Sequence, residues 1–303
     1  MSLRSIINRE HLSQTDPMVN SDYQVCRQIM AKASKNYSFA SFFLPNEILP
    51  HVEALYAFLR VGDDRVDVSY QEFDSPDKAL ENWENLYWKV FETGSSPHPV
   101  IRAYYQTAMR YNIPADLMAP YFKSMWSDLK VNHYSTFRDL MVYMEGSALP
   151  VGRAMTYILG IKKPFGLEET LAGADNLSIA MQLSNFWRDI GEDYFIRNRI
   201  YIPLEDLESF KYSLSDIQNK NINQNFINLL EFEFSRTEKY YQAARQAIRM
   251  LDRGTWGVYC GLEIYRDIIR SIRTNKYDVY HQRAGANLIR KVLLVLKSRI
   301  LTL

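Results

Sequence analysis

Apolar residues three and four apart run through almost the whole chain, and that spacing commits it to α-helices packed against one another. The pattern occupies residues 52–60, 80–91, 100–111, 136–144, 176–193, 226–252 and 261–273. Alternating stretches of the kind strands require are scarce and short. Turn signals separate the blocks at Ser95-Ser96-Pro97, Asn112-Ile113-Pro114, Lys163-Pro164-Phe165-Gly166 and Pro203. Residues 214–225 read as a cap at Ser213 followed by a polar run, not as a clean helix. With 303 residues and no internal repeat, the chain can bury a wide cavity within one large domain. The expected fold is all-α, a single helical domain over residues 21–303 preceded by a mobile arm over 1–20.

Composition narrows the function more by exclusion. Hydrophobic residues make up 47% and charged residues 23%, which excludes a disordered chain. A net charge of +1 gives no reason to expect nucleic acid. No uncharged apolar run reaches the length of a membrane span, and charges stand where a signal peptide needs an apolar stretch. Cys26 and Cys260 sit in no metal-ligand spacing, so a reducing, cytoplasmic setting is expected and a zinc site is not. The 21 Tyr and 15 Phe suit either a tyrosine-rich core or an aromatic-walled pocket.

Two acidic stripes carry the chemistry. On a helix at about 100° per residue, Tyr56, Arg60, Asp63 and Asp67 fall within an arc of roughly 60°. Gln182, Asn185, Asp189 and Asp193 share an arc of roughly 80°, while Ile179, Leu183, Phe186 and Ile190 take the other faces. Carboxylates four apart repel unless a cation or partner lies between them. Asp64 and Arg65 fall off the first stripe and read as surface charges. A solvated helix face explains either stripe alone, since the pattern is short. Two stripes, with Arg60 on one arc and Arg188 beside the other, favour a site for a hard cation and phosphate. All-oxygen donors are what Mg²⁺ prefers, with water and substrate phosphate completing its shell.

With their neighbours, these segments resemble the squalene/phytoene synthase family of head-to-head prenyl transferases. The resemblance covers residues 34–283 in the family's order. It begins with Ser34-Lys35-Asn36-Tyr37-Ser38-Phe39 and Phe43-Leu44-Pro45, followed by residues 56–67. It continues through Tyr143 with Ala148-Leu149-Pro150-Val151-Gly152, then residues 182–193 with Arg199-Ile200-Tyr201-Ile202-Pro203. It closes with Ile264-Tyr265-Arg266 and Tyr277-Asp278-Val279 with Arg283. The resemblance implies an isoprenoid-synthase helical bundle around a central reaction chamber. It implies that Asp63, Asp67, Asp189, Asp193 and Asn185 hold Mg²⁺ (Mn²⁺ as a substitute), with Gln182 on the same side. Ser34, Lys35, Arg60, Arg188 and Arg283 become diphosphate contacts, and Tyr56, Tyr143 and Tyr265 fall where they line the chamber near the departing diphosphate.

The reaction so implied joins two identical prenyl diphosphates through a cyclopropyl diphosphate. The leading expectation is two geranylgeranyl diphosphates giving phytoene. The alternative is a C30 synthase that converts farnesyl diphosphate to squalene, dehydrosqualene or hydroxysqualene. A catalytically inactive assembly factor is a more distant one, and a cyclase or head-to-tail transferase would show differently spaced acidic motifs. No glycine-rich dinucleotide fingerprint occurs, and NADPH enters only for a reduced product. Three departures stand out: Ser147 with Pro150, which should kink the central helix at the chamber wall; Asn198 where glycine is common; and Asn36 where serine is frequent. The segment 287–303 has four cations and no acids. It reads first as a last helix packed on the domain and second as an amphipathic segment on anionic lipid. A hydrocarbon product makes peripheral membrane contact expected in either case.

Overall fold

The computed structural model describes residues 17–33, 35–67 and 72–301. Fourteen α-helices follow one another among them. The first seven are α1 (Pro17–Ala33), α2 (Lys35–Ser41), α3 (Leu49–Asp67), α4 (Pro76–Thr93), α5 (Pro99–Tyr111), α6 (Ala119–Asp128) and α7 (Phe137–Ser147). The rest are α8 (Leu149–Leu159), α9 (Leu167–Arg197), α10 (Leu204–Ser209), α11 (Leu214–Gln218), α12 (Gln224–Ile248), α13 (Thr255–Thr274) and α14 (Leu288–Leu301). The described residues contain no strand, only isolated bridges from His133 to Ile200 and from Ile161 to Leu251. Helix α1 begins at Pro17, inside the stretch expected to be an arm. Residues 1–16 and Ser34 lie outside the described residues, as do the side chains of Lys35 and Asn36.

Local chemistry places the helix ends. Ser75 accepts from the Lys78 N–H with Pro76 in the first turn of α4, and Gly94 closes that helix at φ 73°. Thr136 and Asp139 form a capping box on α7. Ser213 caps α11 and Asn223 caps α12, so the polar run between them is a break between two helices. The kink expected at Pro150 is a full break. Helix α7 stops at Ser147, Ala148 turns the chain (φ −124°, ψ −47°), and Pro150 sits in the first turn of α8. There its missing N–H has no helical acceptor to lose.

One continuous core runs from Tyr23 to Ala284. Phe58 sits among Trp83, Tyr87, Tyr104, Tyr121 and Phe122, with centroids 4.4 to 6.1 Å away. Much of the aromatic surplus is therefore structural. Arg65 belongs to this region and is not a surface charge. It is only 6% exposed, with its guanidinium 4.7 Å from the Phe73 ring centroid. Helix α9 is the axis of the second half, packing on α8, α12 and α13. Its closest approach to α12 is at Gly173, where a Cβ would lie 1.9 Å from that of Ala247.

Candidate active site

One stripe of α9 lines a chamber. Thr170, Gly173, Ala174, Leu177, Ser178, Met181, Gln182 and Asn185 recur at three- and four-residue steps and face the same cavity. Helices α8, α12 and α13 supply the other walls through residues such as Val151, Met155, Ile248 and Val258, and α2 adds Ala40 and Ser41. The empty space, counting its open side, is about 1170 Å³. Leu159, Thr170 and Leu251 also line it, all buried. Among the described residues Tyr265 is the only aromatic in the lining, and the other lining residues are aliphatic or small.

Beyond Asn185 the same stripe turns acidic at Asp189 and Asp193, and the first acidic pair on α3 comes to meet it. Arg197, one helical turn past Asp193, joins them: it donates to Asp193 Oδ1 at 2.8 Å, pairs with Glu192 at 2.7 Å and stands 3.6 Å from Asp67. Arg199 donates to Asp67 Oδ1 at 3.0 Å. Its position follows from Asn198, whose left-handed backbone (φ 53°) ends α9 and turns the chain back. Asn198 thus does what glycine would do there.

Crowding shows in the carboxyl groups. Burial, then the neighbouring Asp67, pushes Asp63 up to about 7. Burial, then Asp189, does the same to Asp193, also to about 7, against the pull of Arg197. Tyr121 sets its hydroxyl 3.0 Å from Leu59 O and 3.3 Å from Asp63 Oδ1. Gly62 makes that approach possible, since a Cβ there would fall 2.1 Å from the hydroxyl.

Arg188 grips its neighbour Asp189 with two hydrogen bonds (2.8 and 2.5 Å). Arg283 reaches Asp189 and Glu192 at 3.2 Å each. Arg60 pairs with Asp64 at 2.5 Å, away from the facing pairs. Tyr56 is half-buried on α3. Tyr143 does not line the chamber: its hydroxyl donates to Asp128 Oδ2 at 2.9 Å within a cluster of Tyr134, Phe186 and Tyr201. Burial raises Asp128 to about 6, opposed by Arg199, which also donates to the Asp128 carbonyl at 3.3 Å. Of the residues singled out from sequence, the structure brings together the two aspartate pairs, Arg188 and Arg283, and beside them Gln182, Asn185 and Tyr265. Ser34 and the Lys35 side chain fall outside the described residues.

Three residues at this site escaped sequence reasoning, Tyr121, Asp128 and Arg197, and Arg199 stood in a family motif with no role attached. Gly62 was the one available signal, because glycine inside a helix costs about 1 kcal/mol against alanine and usually marks a close approach. The donor set suits a hard cation. It is all oxygen, and Asn185 Oδ1 is buried at the chamber's edge with no hydrogen-bond partner. The carboxylates do not converge on one point: no ready-made cluster of three acidic, His or Cys ligands occurs among the described residues. Mg²⁺, which takes one or two carboxylates and fills its shell with phosphate and water, does not require one.

The fold has known counterparts. A model of the squalene/phytoene synthase family matches residues 30–290. Phytoene synthase from Arthrospira platensis is 30% identical, the match covering 94% of this chain and 96% of that one. The 15-cis-phytoene synthase of Synechococcus elongatus is 31% identical over 89% and 90% of the two chains. Among solved structures, squalene synthase HpnC from Alicyclobacillus acidocaldarius superposes with a TM-score of 0.78 at 26% identity, covering 88% of this chain and 98% of its own. A ligand-bound dehydrosqualene synthase reaches 0.85 at 23% identity, over 93% and 96%. The chain belongs to the squalene/phytoene synthase family. It is an enzyme of the prenyl-transferring type, in a family that uses prenyl diphosphates and depends on divalent metal.

Proposed function

We propose that this protein joins two geranylgeranyl diphosphates head to head to give phytoene. The observation that carries the reading is the length of the cavity-lining stripe of α9 below the acidic pairs. From Asn185 to Thr170, the two ends of that stripe, is fifteen residues, about 22 Å at 1.5 Å per residue. Three backbone bonds span about 3.5 Å, so the sixteen-bond chain of a C20 diphosphate extends about 19 Å and the twelve-bond C15 chain about 14 Å. The C20 chain fills the chamber, whereas the C15 chain leaves several ångströms of the stripe bare. The relatives named phytoene synthase, similar along nearly the whole chain, support the same reading.

Asp63, Asp67, Asp189, Asp193 and Asn185 would hold Mg²⁺, which supplies positive charge against the diphosphate as it leaves. Arg188 and Arg283, already at Asp189, are placed to take phosphate oxygens. Departure of the first diphosphate breaks its C1–O bond and leaves an allylic cation. The double bond of the second substrate attacks that carbon, and proton loss closes a cyclopropane. The second C1–O bond then breaks, the skeleton rearranges to the 1–1′ link, and a final proton loss gives the alkene. Through all of this the chain must exclude water, a task that the apolar side chains of Leu177, Met155, Met181 and Val258 suit. No NADPH is consumed on this route. Offering farnesyl and geranylgeranyl diphosphate separately with Mg²⁺, with and without NADPH, tests it. Phytoene from the C20 substrate is expected; a C30 product from the C15 substrate alone, or no diphosphate release from either, overturns it.

A further inference from the structure

Gly191 lies between Asp189 and Asp193 in sequence but on the far side of α9. At about 100° per residue it sits roughly 160° round the helix from Asp189, with Glu192 on the flank between them. It is buried, and the backbone of another segment takes the place a side chain would fill. A Cβ there would fall 2.8 Å from Val279 O and 3.0 Å from Tyr280 Cα. Glycine weakens a helix interior, so its presence there marks a close approach. Arg283 follows four residues after Val279. Its guanidinium comes round the flank to meet Glu192 and Asp189 at 3.2 Å each.

The turn that makes this crossing is fastened at both of its ends. Lys276 and Tyr277, neither of them glycine, both take the left-handed backbone (φ 54° and 61°), which costs free energy at each. Tyr277 is kept there by its hydroxyl, 2.8 Å from Glu231 Oε1 on α12, and by its N–H, which donates to Ile272 O at 2.9 Å. Asp278 Oδ1 accepts from the N–H groups of Tyr280 and His281. Tyr280 stacks on Phe226 of α12 and sets its hydroxyl 2.8 Å from that of Tyr212. Val279 and Ala284 are buried, yet the Arg283 side chain is 61% exposed. The path of the backbone, not packing, holds that side chain at α9.

We propose that Gly191 is a positioning residue: by admitting the Tyr277–His281 turn against the back of α9, it brings Arg283 to the acidic end of the chamber. Strained backbone persists only where its surroundings over-determine it, and it clusters where a side chain must be aimed. A side chain at position 191 would push the turn off α9, and Arg283 with it. The proposal rests on the reading of Arg283 as a diphosphate contact, and its test separates the two. Inorganic pyrophosphate with Mg²⁺ is titrated into the full chain by calorimetry, a probe that depends on neither chain length nor turnover. Arg283→Gln is expected to weaken binding by about tenfold or more, the scale of one charge-assisted hydrogen bond. Gly191→Ala should weaken it by about fivefold to tenfold, and the double variant should bind no worse than Arg283→Gln alone. Tyr280→Ala loosens the same turn without altering α9 and should show the same dependence on Arg283; it decides the matter where Gly191→Ala does not fold. Weakened binding in Arg283→Gln beside parental affinity in the folded turn variants overturns the proposal alone. So does a double variant in which the two losses multiply. Parental affinity in Arg283→Gln overturns the diphosphate reading of that residue, and the proposal with it.

Discussion

Arg197 stands 3.6 Å from Asp67, so a residue at the end of α9 reaches across to the last residue of α3 while holding Asp193 at 2.8 Å. This guanidinium ties the two acidic helices together. The positions it satisfies are those the metal reading assigns to Mg²⁺, so arginine and cation compete for the same carboxylates. Arg197→Gln should therefore bind Mn²⁺ more tightly than the parent in the absence of substrate, by several-fold, as followed by the paramagnetic signal of free Mn²⁺. It should also melt at a lower temperature in chelator, where Asp67, Glu192 and Asp193 lose a counter-charge. Unchanged Mn²⁺ affinity would refute the competition.

Asp67 and Asp189 each belong to a facing pair and are partly solvated, so neither supports the core. Asp67→Ala and Asp189→Ala are expected to lower turnover by at least about a hundredfold to a thousandfold, the scale lost with one preorganised electrostatic group. Their circular dichroism should match the parent. Near-parental turnover in either variant would sink the metal assignment.

The chamber's length makes a prediction about substrate choice. Ala174 faces the cavity eleven residues below Asn185, about 16 Å down the helix. Ala174→Phe puts a ring across the stripe at that depth, leaving room for the ~14 Å C15 chain but not the ~19 Å C20 chain. The ratio of kcat/KM for farnesyl over geranylgeranyl diphosphate should rise by about a hundredfold or more. An unchanged ratio in a folded variant would mean that chain length is not read along α9.

How much of this the sequence disclosed depended on whether a signal was periodic. The α9 stripe was visible from Gln182 to Asp193 because four polar residues broke an apolar pattern at helical spacing. Its lower half, from Thr170 to Ser178, was not, since Gly173, Ala174 and Ser178 are small residues that suit any close helix contact. Their function comes from opposite walls on α8, α12 and α13 standing apart. Arg197 and Asp128 were equally hidden, and Arg199 stood in a family motif with no role attached. Each is an ordinary surface-type residue in its own segment and gains its role from partners 71 to 132 positions distant in sequence or across α9. Tyr143 fell in a family motif, yet the structure gives it to Asp128 and an aromatic cluster instead of the chamber.

Part of the acid sensitivity should come from His51, on α3 far from the two aspartate pairs, alongside His98, which burial also lowers to about 4. Its Nδ1 lies 3.0 Å from both Tyr23 Oη and Thr107 Oγ1, and burial, then Arg110, lowers its pKa from 6.5 to about 4. The folded protein thus keeps the ring neutral where the unfolded chain protonates it. Between pH 6.5 and about 4 the unfolded state binds more protons, so stability is intact above pH 6.5 and drains away as the pH falls toward 4. A shift of this size corresponds to on the order of 3 kcal/mol across that window. His51→Asn keeps a polar group for Tyr23 and Thr107 but cannot take up the proton, so its melting temperature should fall less steeply from pH 6.5 to 4. An acid limb of the same slope in both proteins would assign the sensitivity to another group.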